Sequence, residues 1–317
     1  MKYCFGVDIG GTSVKIGLIS EKGELLARWE IPTKAGGDPT PLLQDVRASL
    51  EQCMAERGLA REDILGIGMA APGPVTADGV LHGCVNIGWG DVALAAMAQE
   101  VIGIRPVLIG NDARVAALGE AIYGAGEGAK SMLMVTLGTG VGGGVVLEGR
   151  ILTGESGVAG EIGHMTIDPY ETEKCNCGKH GCLEQYTSAT GMVRVAERFL
   201  REREDPSVLR DQPLSAKMLW DAAKAGDALA NEIVDLCCDR LGMALANAMY
   251  LVDTERIVLG GGVCAAGEFL LEKVRAAYRR QVFAHSRNKS FALAKLGNDA
   301  GIQGAAALVL HGVLPKE

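Results

Sequence analysis

The sequence predicts an α/β protein of two similar domains, and three observations carry that reading. The 317 residues are 48% apolar and include 44 glycines, yet only 4% are aromatic. That mix suits tight turns between strands and helices better than a β-sandwich. A strand–glycine turn–strand pattern occurs twice, at Val7-Asp8-Ile9-Gly10-Gly11-Thr12 and at Val135-Thr136-Leu137-Gly138-Thr139-Gly140. Finally, "IGNDARVAALG" at 109–119 is echoed by "LGNDAGIQGAA" at 296–306. Each half thus opens on a glycine hairpin and carries a strand, an Asn-Asp pair and a helix, which points to an ancient duplication.

The elements follow in order. Apolar runs at 3–9 and 14–19 flank "DIGGTS", and the Lys22-Gly23 turn leads to a third strand near 24–32. Leu42, Leu43, Val46, Leu50 and Met54 recur at helical spacing. "ILGIGMAAPGPV" is a strand that ends in a loop at Pro72–Pro74. "PVLIGNDARVAALGEAIYG" is a strand, a cap-like Asn-Asp and a helix. The second hairpin is "SMLMVTLGTGVGGGVVLEGRIL". Residues 189–253 are mostly helical, with Ile233, Leu236, Cys237, Leu241, Leu245 and Met249 on one apolar face. "RIVLGGGV" at 256–263 is one more strand ending in glycines, before a helix through Leu270, Val274 and Tyr278.

Composition narrows the function classes. A net charge of −8 and the lack of any Lys/Arg run argue against a nucleic-acid surface. The start "MKYCFGVDIGG" has no signal-peptide pattern, and no apolar stretch of about 18 residues suits a membrane span. A cytoplasmic protein is expected. Of the nine cysteines, Cys4, Cys53, Cys237, Cys238 and Cys264 sit among apolar neighbours and are expected to be buried reduced thiols. Cys84 has no obvious role.

Three patterns carry chemistry. The first is the glycine turns. Glycines let a backbone approach a phosphate and aim its N–H groups there. "DIGGTSVK" places Asp8 at a strand end, then Gly10, Gly11, Thr12 and Lys15. "LGTGVGGG" at 137–144 and "LGGGV" at 259–263 repeat the device. It is neither a Walker loop nor a dinucleotide fingerprint, but three such turns in two matched domains suggest a cleft that grips a nucleotide. The second is two Asn-Asp pairs, Asn111-Asp112 and Asn298-Asp299. Either could supply a proton-accepting carboxylate, and either could simply cap a helix. The third is Cys175-x-Cys177-x₄-Cys182 with His164 upstream. Three thiols and an imidazole suffice for a closed tetrahedral Zn²⁺ site. A redox Cys-x-Cys pair and incidental loop thiols remain open, and His180 is a rival fourth ligand.

Taken together and in order, "DIGGTSVK", "APGPV", "NIGW", "NDARVAALGE", "TLGTGVGGG", "GEIGH", "CNCGKHGCLE", "LGGGV" and "LGNDAG" resemble the ROK family of sugar kinases and repressors. That family lies within the hexokinase–actin superfamily of ribonuclease-H-like ATPases, and the likeness spans essentially the whole chain. "NIGW" is most similar to the bacterial glucokinase branch.

The resemblance implies two ribonuclease-H-like domains flanking a cleft: residues 1–112 with 301–317, and 113–300 with a zinc loop at 164–184. It implies ATP-dependent phosphorylation of a hexose 6-hydroxyl with Mg²⁺, glucose giving glucose 6-phosphate. Asp112 becomes the general base and Asn111 a sugar contact, while Asp299 is left as a pseudo-symmetric cap of the last helix. Glu161, His164 and Glu184 are assigned to sugar hydroxyls, with Asn86 equally plausible as a turn residue. Asp8, Gly10, Gly11, Thr12, Lys15, Gly138, Thr139, Gly140 and Gly261 are assigned to the nucleotide and its metal. His164, Cys175, Cys177 and Cys182 are assigned to a structural zinc that orients His164 and the loop. Loss of that zinc is expected to be felt at the sugar and much less at ATP. The alternatives are a ROK kinase for N-acetylmannosamine, fructose or allose, a polyphosphate donor, and a non-catalytic sugar-sensing protein. The repressor branch carries a winged helix ahead of its first phosphate loop. Here that loop starts at residue 6, so a regulator is disfavoured. A homodimer or homotetramer is expected.

Overall fold

The computed structural model describes residues 1–84 and 87–312. In chain order the first elements are β1 (Tyr3–Ile9), β2 (Ser13–Ser20), β3 (Leu25–Pro32), α1 (Thr40–Arg57), β4 (Ile64–Ala71), α2 (Leu94–Ile102), β5 (Val107–Asn111) and α3 (Asp112–Tyr123). Next come β6 (Ser131–Leu137), β7 (Val141–Leu147), β8 (Arg150–Ile151), α4 (Glu184–Thr187), α5 (Ala189–Glu202), α6 (Ala216–Lys224) and α7 (Ala228–Val252). The last are β9 (Arg256–Gly260), α8 (Glu268–Gln281), β10 (Ser290–Leu293) and α9 (Ala300–Leu310). Among the described residues no helix is long and apolar enough to cross a membrane.

The two sheets share one topology. The first runs β3-β2-β1-β4-β5 and the second β8-β7-β6-β9-β10. In the first, β1 pairs antiparallel with β2 and parallel with β4, and β4 runs parallel with β5. In the second, β6, β9 and β10 run parallel, and β7 pairs antiparallel with β8. The same strand order twice is what the repeated hairpin and the repeated Asn-Asp segment require.

The chain divides into two compact units. The first holds residues 1–131, 144–160 and 295–317, and the second holds 132–143 and 161–294. The boundaries drawn at 112 and 301 therefore fall inside the first unit. The reason is the helix pair α3/α9. A Cβ on Gly119 of α3 would lie 2.5 Å from Ala300 O, and one on Gly304 of α9 would lie 1.8 Å from Val115 O. The two helices touch backbone to backbone and cannot belong to different bodies. The second half of β7 joins them, since a Cβ on Gly144 would lie 2.6 Å from Ala117 Cβ.

In the first unit, α1 and α2 bury Leu42, Leu43, Val46, Leu94 and Ala98 in one core with Phe5, Val7, Met69 and Ile109. Helix α9 lies so close on the sheet that a Cβ on Gly6 or Gly68 would come within 2.1 or 1.6 Å of a helix carbonyl oxygen. Edge strand β3 alternates half-buried and exposed residues along its length, as one-sided burial demands. In the second unit, α7 is capped by Asp227, whose side chain accepts from Ala230 N, and ends at Asp253 with φ 39°. The apolar patterns do not single out strand β10, an edge strand of the second sheet, or helix α2.

Cys4, Cys53, Cys237 and Cys238 are buried thiols as expected, while Cys264 is half-buried. Cys84 is buried too, and forms an antiparallel bridge with Trp89.

Candidate functional site

In the first unit the parallel strands β1, β4 and β5 end in register: Asp8 pairs with Ala70, Ala70 with Gly110, and Ala71 with Asn111. Asp8, Asn111 and Asp112 therefore gather at the carboxyl ends of neighbouring parallel strands, where open α/β sheets bind ligands. Asn111 has two tasks. Its Oδ1 accepts from Arg114 N at 3.2 Å and caps α3. Its Nδ2 donates to Asp112 Oδ1 at 2.9 Å and to Gly73 O at 3.1 Å. With Ala113 N donating to the same Oδ1 at 2.7 Å, one carboxylate oxygen of Asp112 is anchored and the other is left for chemistry. Burial raises the Asp112 carboxyl above its ordinary range, against the Ala113 N–H, the Asn111 amide and Arg114.

Asn298-Asp299 is built differently. Asp299 stands at the start of α9 but makes no side-chain cap. It pairs instead with Arg28 Nη1 at 2.8 Å. The cap assigned to it from the sequence is therefore wrong. Its φ/ψ are helical (−93°, −7°), whereas a capping side chain needs an extended backbone to reach back to the first turn.

Asp8 lies directly opposite Lys15 across the β1–β2 hairpin. Gly10 N donates to Ser13 O at 3.0 Å to close the turn, and Gly11 and Thr12 are exposed at its tip. Gly301 at the start of α9 sits over the Asp8 carboxylate, where a Cβ would fall 2.5 Å from Oδ2. Burial pushes the Asp8 carboxyl up to about 6; Lys15 opposes this and Asp112 adds to it. A carboxyl whose folded pKa is raised contributes its full stability below the unfolded value of 3.8 and loses it as pH rises through about 6. Asp8→Asn should therefore stabilise the ligand-free protein near neutral pH, by at most about 3 kcal/mol. The gain should fade as pH falls through the window from about 6 to 3.8. Chemical unfolding of both proteins across that range is the check, and a gain that persists in acid would contradict it.

The second unit carries the cysteines. His164, Cys175, Cys177 and Cys182 bring their ligand atoms within 4.8 Å of one another. Cys177 and Cys182 sulfurs are 3.6 Å apart, and Cys175 Sγ lies 4.0 Å from His164 Nδ1. A tetrahedral zinc with metal–sulfur bonds of about 2.3 Å has sulfur–sulfur edges of about 3.8 Å, so the donor set fits that ion. Burial raises the thiols of Cys175 and Cys182. His180 is exposed and stands outside the cluster. The loop has a second anchorage. Tyr186 hydroxyl shares its proton between Asp168 at 2.9 Å and Glu171 at 2.8 Å, and the guanidinium groups of Arg194 and Arg240 lie over its ring, 5.3 and 5.4 Å from the centroid. Burial would raise Glu171, but hydrogen bonds from Arg194, Glu173 N and Tyr186 carry it down to about 2.

The glycine turn after β6 lies beside this loop. Gly138 N donates to Gly140 O at 2.9 Å. Gly261, at φ 89°, backs onto the same strand end: a Cβ would lie 2.5 Å from Leu137 O. Glu184 Oε2 accepts from Val141 N at 2.9 Å, and Cys175 Sγ donates to its Oε1 at 3.8 Å. Glu161 opens the 3-10 turn that carries His164. Asn86 lies outside the described residues.

Next to the turn is a cavity of about 590 Å³ lined by Gly138, Thr139, Ser215, Lys217, Trp220, Lys224 and Gly262. The residues from α6 were missed from the sequence. Their only signal is Ser215, an N-cap whose side chain accepts from Met218 N; nothing in the pattern of α6 aims it at a glycine turn. Arg114 was missed as well. It is fully buried and donates to Gly157 O, which ties α3 to the 152–160 loop.

Comparison with known proteins agrees with this fold. The ROK family model matches residues 4–311. A glucokinase of Halalkalibacterium halodurans is 41% identical over 314 residues, covering 97% of this chain and 95% of that one. The ROK hexokinase structure from Thermus thermophilus superposes with a TM-score of 0.80 at 34% identity, covering 96% of this chain and 97% of the other. A ROK family glucokinase from Streptomyces griseus, solved with glucose and AMPPNP, gives 0.75 at 30% identity, covering 96% and 98%. With the motifs, the doubled topology and a match over nearly its whole length, this chain belongs to the ROK family.

Proposed function

We propose that this protein is an ATP-dependent glucokinase, transferring the γ-phosphoryl group of ATP to the 6-hydroxyl of glucose. The observation that carries the reading is Asp112. It is a half-buried carboxylate, raised by desolvation and fixed by Asn111 at the ends of parallel strands, in a chain 41% identical to a glucokinase.

In the reaction, Asp112 takes the proton of the 6-hydroxyl through its less-bonded oxygen. The hydroxyl oxygen forms its bond to the γ-phosphorus. The bond from that phosphorus to the β,γ-bridging oxygen breaks, and ADP leaves with the electron pair. Asn111, Glu161, His164 and Glu184 orient the sugar, with Asn86 as a further contact. The cavity beside Gly138 and Gly262 takes the adenosine, so that its phosphates meet the N–H groups of the glycine turn. A Mg²⁺ bound with the nucleotide supplies charge compensation on the phosphate oxygens, and Asp8, with Thr12 and Lys15 near it, is the hard oxygen donor that would hold it. His164, Cys175, Cys177 and Cys182 would hold a structural zinc. His164 Nδ1 faces Cys175, which leaves Nε2 to donate to a sugar hydroxyl in a fixed tautomer.

A coupled ADP-release assay over glucose, N-acetylmannosamine, fructose and allose tests the reading. Glucose should show the highest kcat/KM. Equal or better use of N-acetylmannosamine would move the protein to another ROK kinase activity, and no ADP release with any sugar would make it a binding protein.

A further inference from the structure

The segment that follows the metal loop is bonded to the glycine turn at three points. Glu184 Oε2 accepts from Val141 N at 2.9 Å. Ala189 N donates to Gly138 O at 2.8 Å, and Thr190 Oγ1 donates to Thr139 O at 2.8 Å. Every residue from Gly138 to Val141 is therefore tied, directly or through its neighbour, to residues 184–190. The other end of this segment is the metal cluster. Cys182 stands two positions before Glu184, and Cys175 Sγ donates to Glu184 Oε1 at 3.8 Å. The Glu184 carboxylate thus has one oxygen on the glycine turn and the other on a cluster cysteine. No side chain fits between: a Cβ on Gly140 would lie 2.5 Å from Oε2. The Glu184 backbone is held as well, its carbonyl accepting from Ser188 Oγ at 2.7 Å.

We infer that residues 184–190 form a strap through which the state of the cysteine–histidine cluster sets the shape of the phosphate-binding turn, with Glu184 as its positioning residue. The inference rests on the zinc and nucleotide assignments above. It revises the expectation that losing zinc would spare ATP binding. The physical reason is connectivity. With the thiols held as ligands, the Cys182–Glu184 backbone has one position, and Val141 N–H keeps its acceptor. Once the cluster is released, the Cys182–Glu184 backbone loses its fixed position, and with it the turn loses the acceptor placed for Val141 N–H.

The test is a thermodynamic cycle read by calorimetry in the absence of sugar. AMPPNP with Mg²⁺ is titrated into zinc-loaded and chelator-stripped protein. Wild type should bind it about 5- to 150-fold more tightly with zinc than without, the ordinary range for coupled sites. By reciprocity AMPPNP should tighten zinc binding by the same factor, read at equilibrium by competition with a chromogenic chelator. In Glu184→Ala the two affinities should converge. In Glu184→Gln, whose amide oxygen can still accept from Val141 N, most of the difference should survive. Equal AMPPNP affinity with and without zinc in wild type overturns the strap and leaves the nucleotide assignment standing. So does a difference that persists in Glu184→Ala, which would show that stripping merely unfolds the loop. Failure of wild type to bind AMPPNP, or zinc at about one per chain, overturns the functional assignments and the strap with them.

Discussion

Asp112→Asn should lower kcat by about 10²–10⁴-fold, the contribution expected of a positioned general base, and leave glucose affinity within a few-fold of wild type. The amide preserves the volume. Its carbonyl oxygen can still accept from Ala113 N and from Asn111 Nδ2, which now hold Oδ1 at 2.7 and 2.9 Å. What it cannot do is take the proton of the attacking hydroxyl. The effect should therefore fall on kcat, with KM little changed, as for an interaction made only in the transition state. Asp299→Asn is the control. Its carboxylate is engaged with Arg28 at the surface and has no part in the site, so turnover should be unchanged. Steady-state kinetics of both variants decide the matter. An Asp112→Asn enzyme that kept more than about a tenth of the wild-type kcat would fall outside the range for a general base and remove Asp112 from that role.

The second large effect is expected at a residue that touches no substrate. Gly304→Ala adds one methyl group that would stand 1.8 Å from Val115 O and 3.0 Å from Gly119 N, counting the reciprocal approach of the two helices. Backbone atoms cannot swing aside as a side chain can. The only relief is to part α3 from α9, a strain of about 3 kcal/mol or more by the scale of overpacked cores. The consequence reaches the site because each helix controls one of the two carboxylates. Helix α3 carries Asp112 at its first position, and α9 covers Asp8 through Gly301. Buried Glu120 reinforces the pairing, accepting from Leu296 N at 2.7 Å and Lys295 N at 3.1 Å just ahead of α9. The variant should melt roughly 5–10 °C lower and lose turnover even well below its melting temperature. A variant with normal melting and normal kcat would show that the helices can part without cost and that their contact does not position the carboxylates.

Much of this was legible before any coordinates. The hairpins at Asp8–Thr12 and Leu137–Gly140, the Asn-Asp repeat and the cysteine spacing are local patterns, and local patterns survive in a linear text. Glycine at a turn, alternation along a strand and ligand spacing in a short loop depend on neighbours a few residues apart. They were sufficient for the doubled α/β fold and the cysteine–histidine cluster, while the choice of Asn111-Asp112 over Asn298-Asp299 came from the family resemblance. Tertiary contacts decided the rest. Nothing near Asp299 in sequence says that Arg28 will claim its carboxylate, and nothing in "AGIQGAA" says that Gly304 must clear Val115 O. Ser215, Lys217 and Trp220 belong to a helix with an ordinary pattern, and only packing places them beside Gly138. Glu184 is the clearest case. From the text it is one acid in a cysteine motif; folded, it joins a turn more than forty residues upstream to the cysteines beside it, with Val141 N–H as its partner. A hydrogen bond is a relation between two positions, and distant positions become neighbours only when the chain has closed on itself.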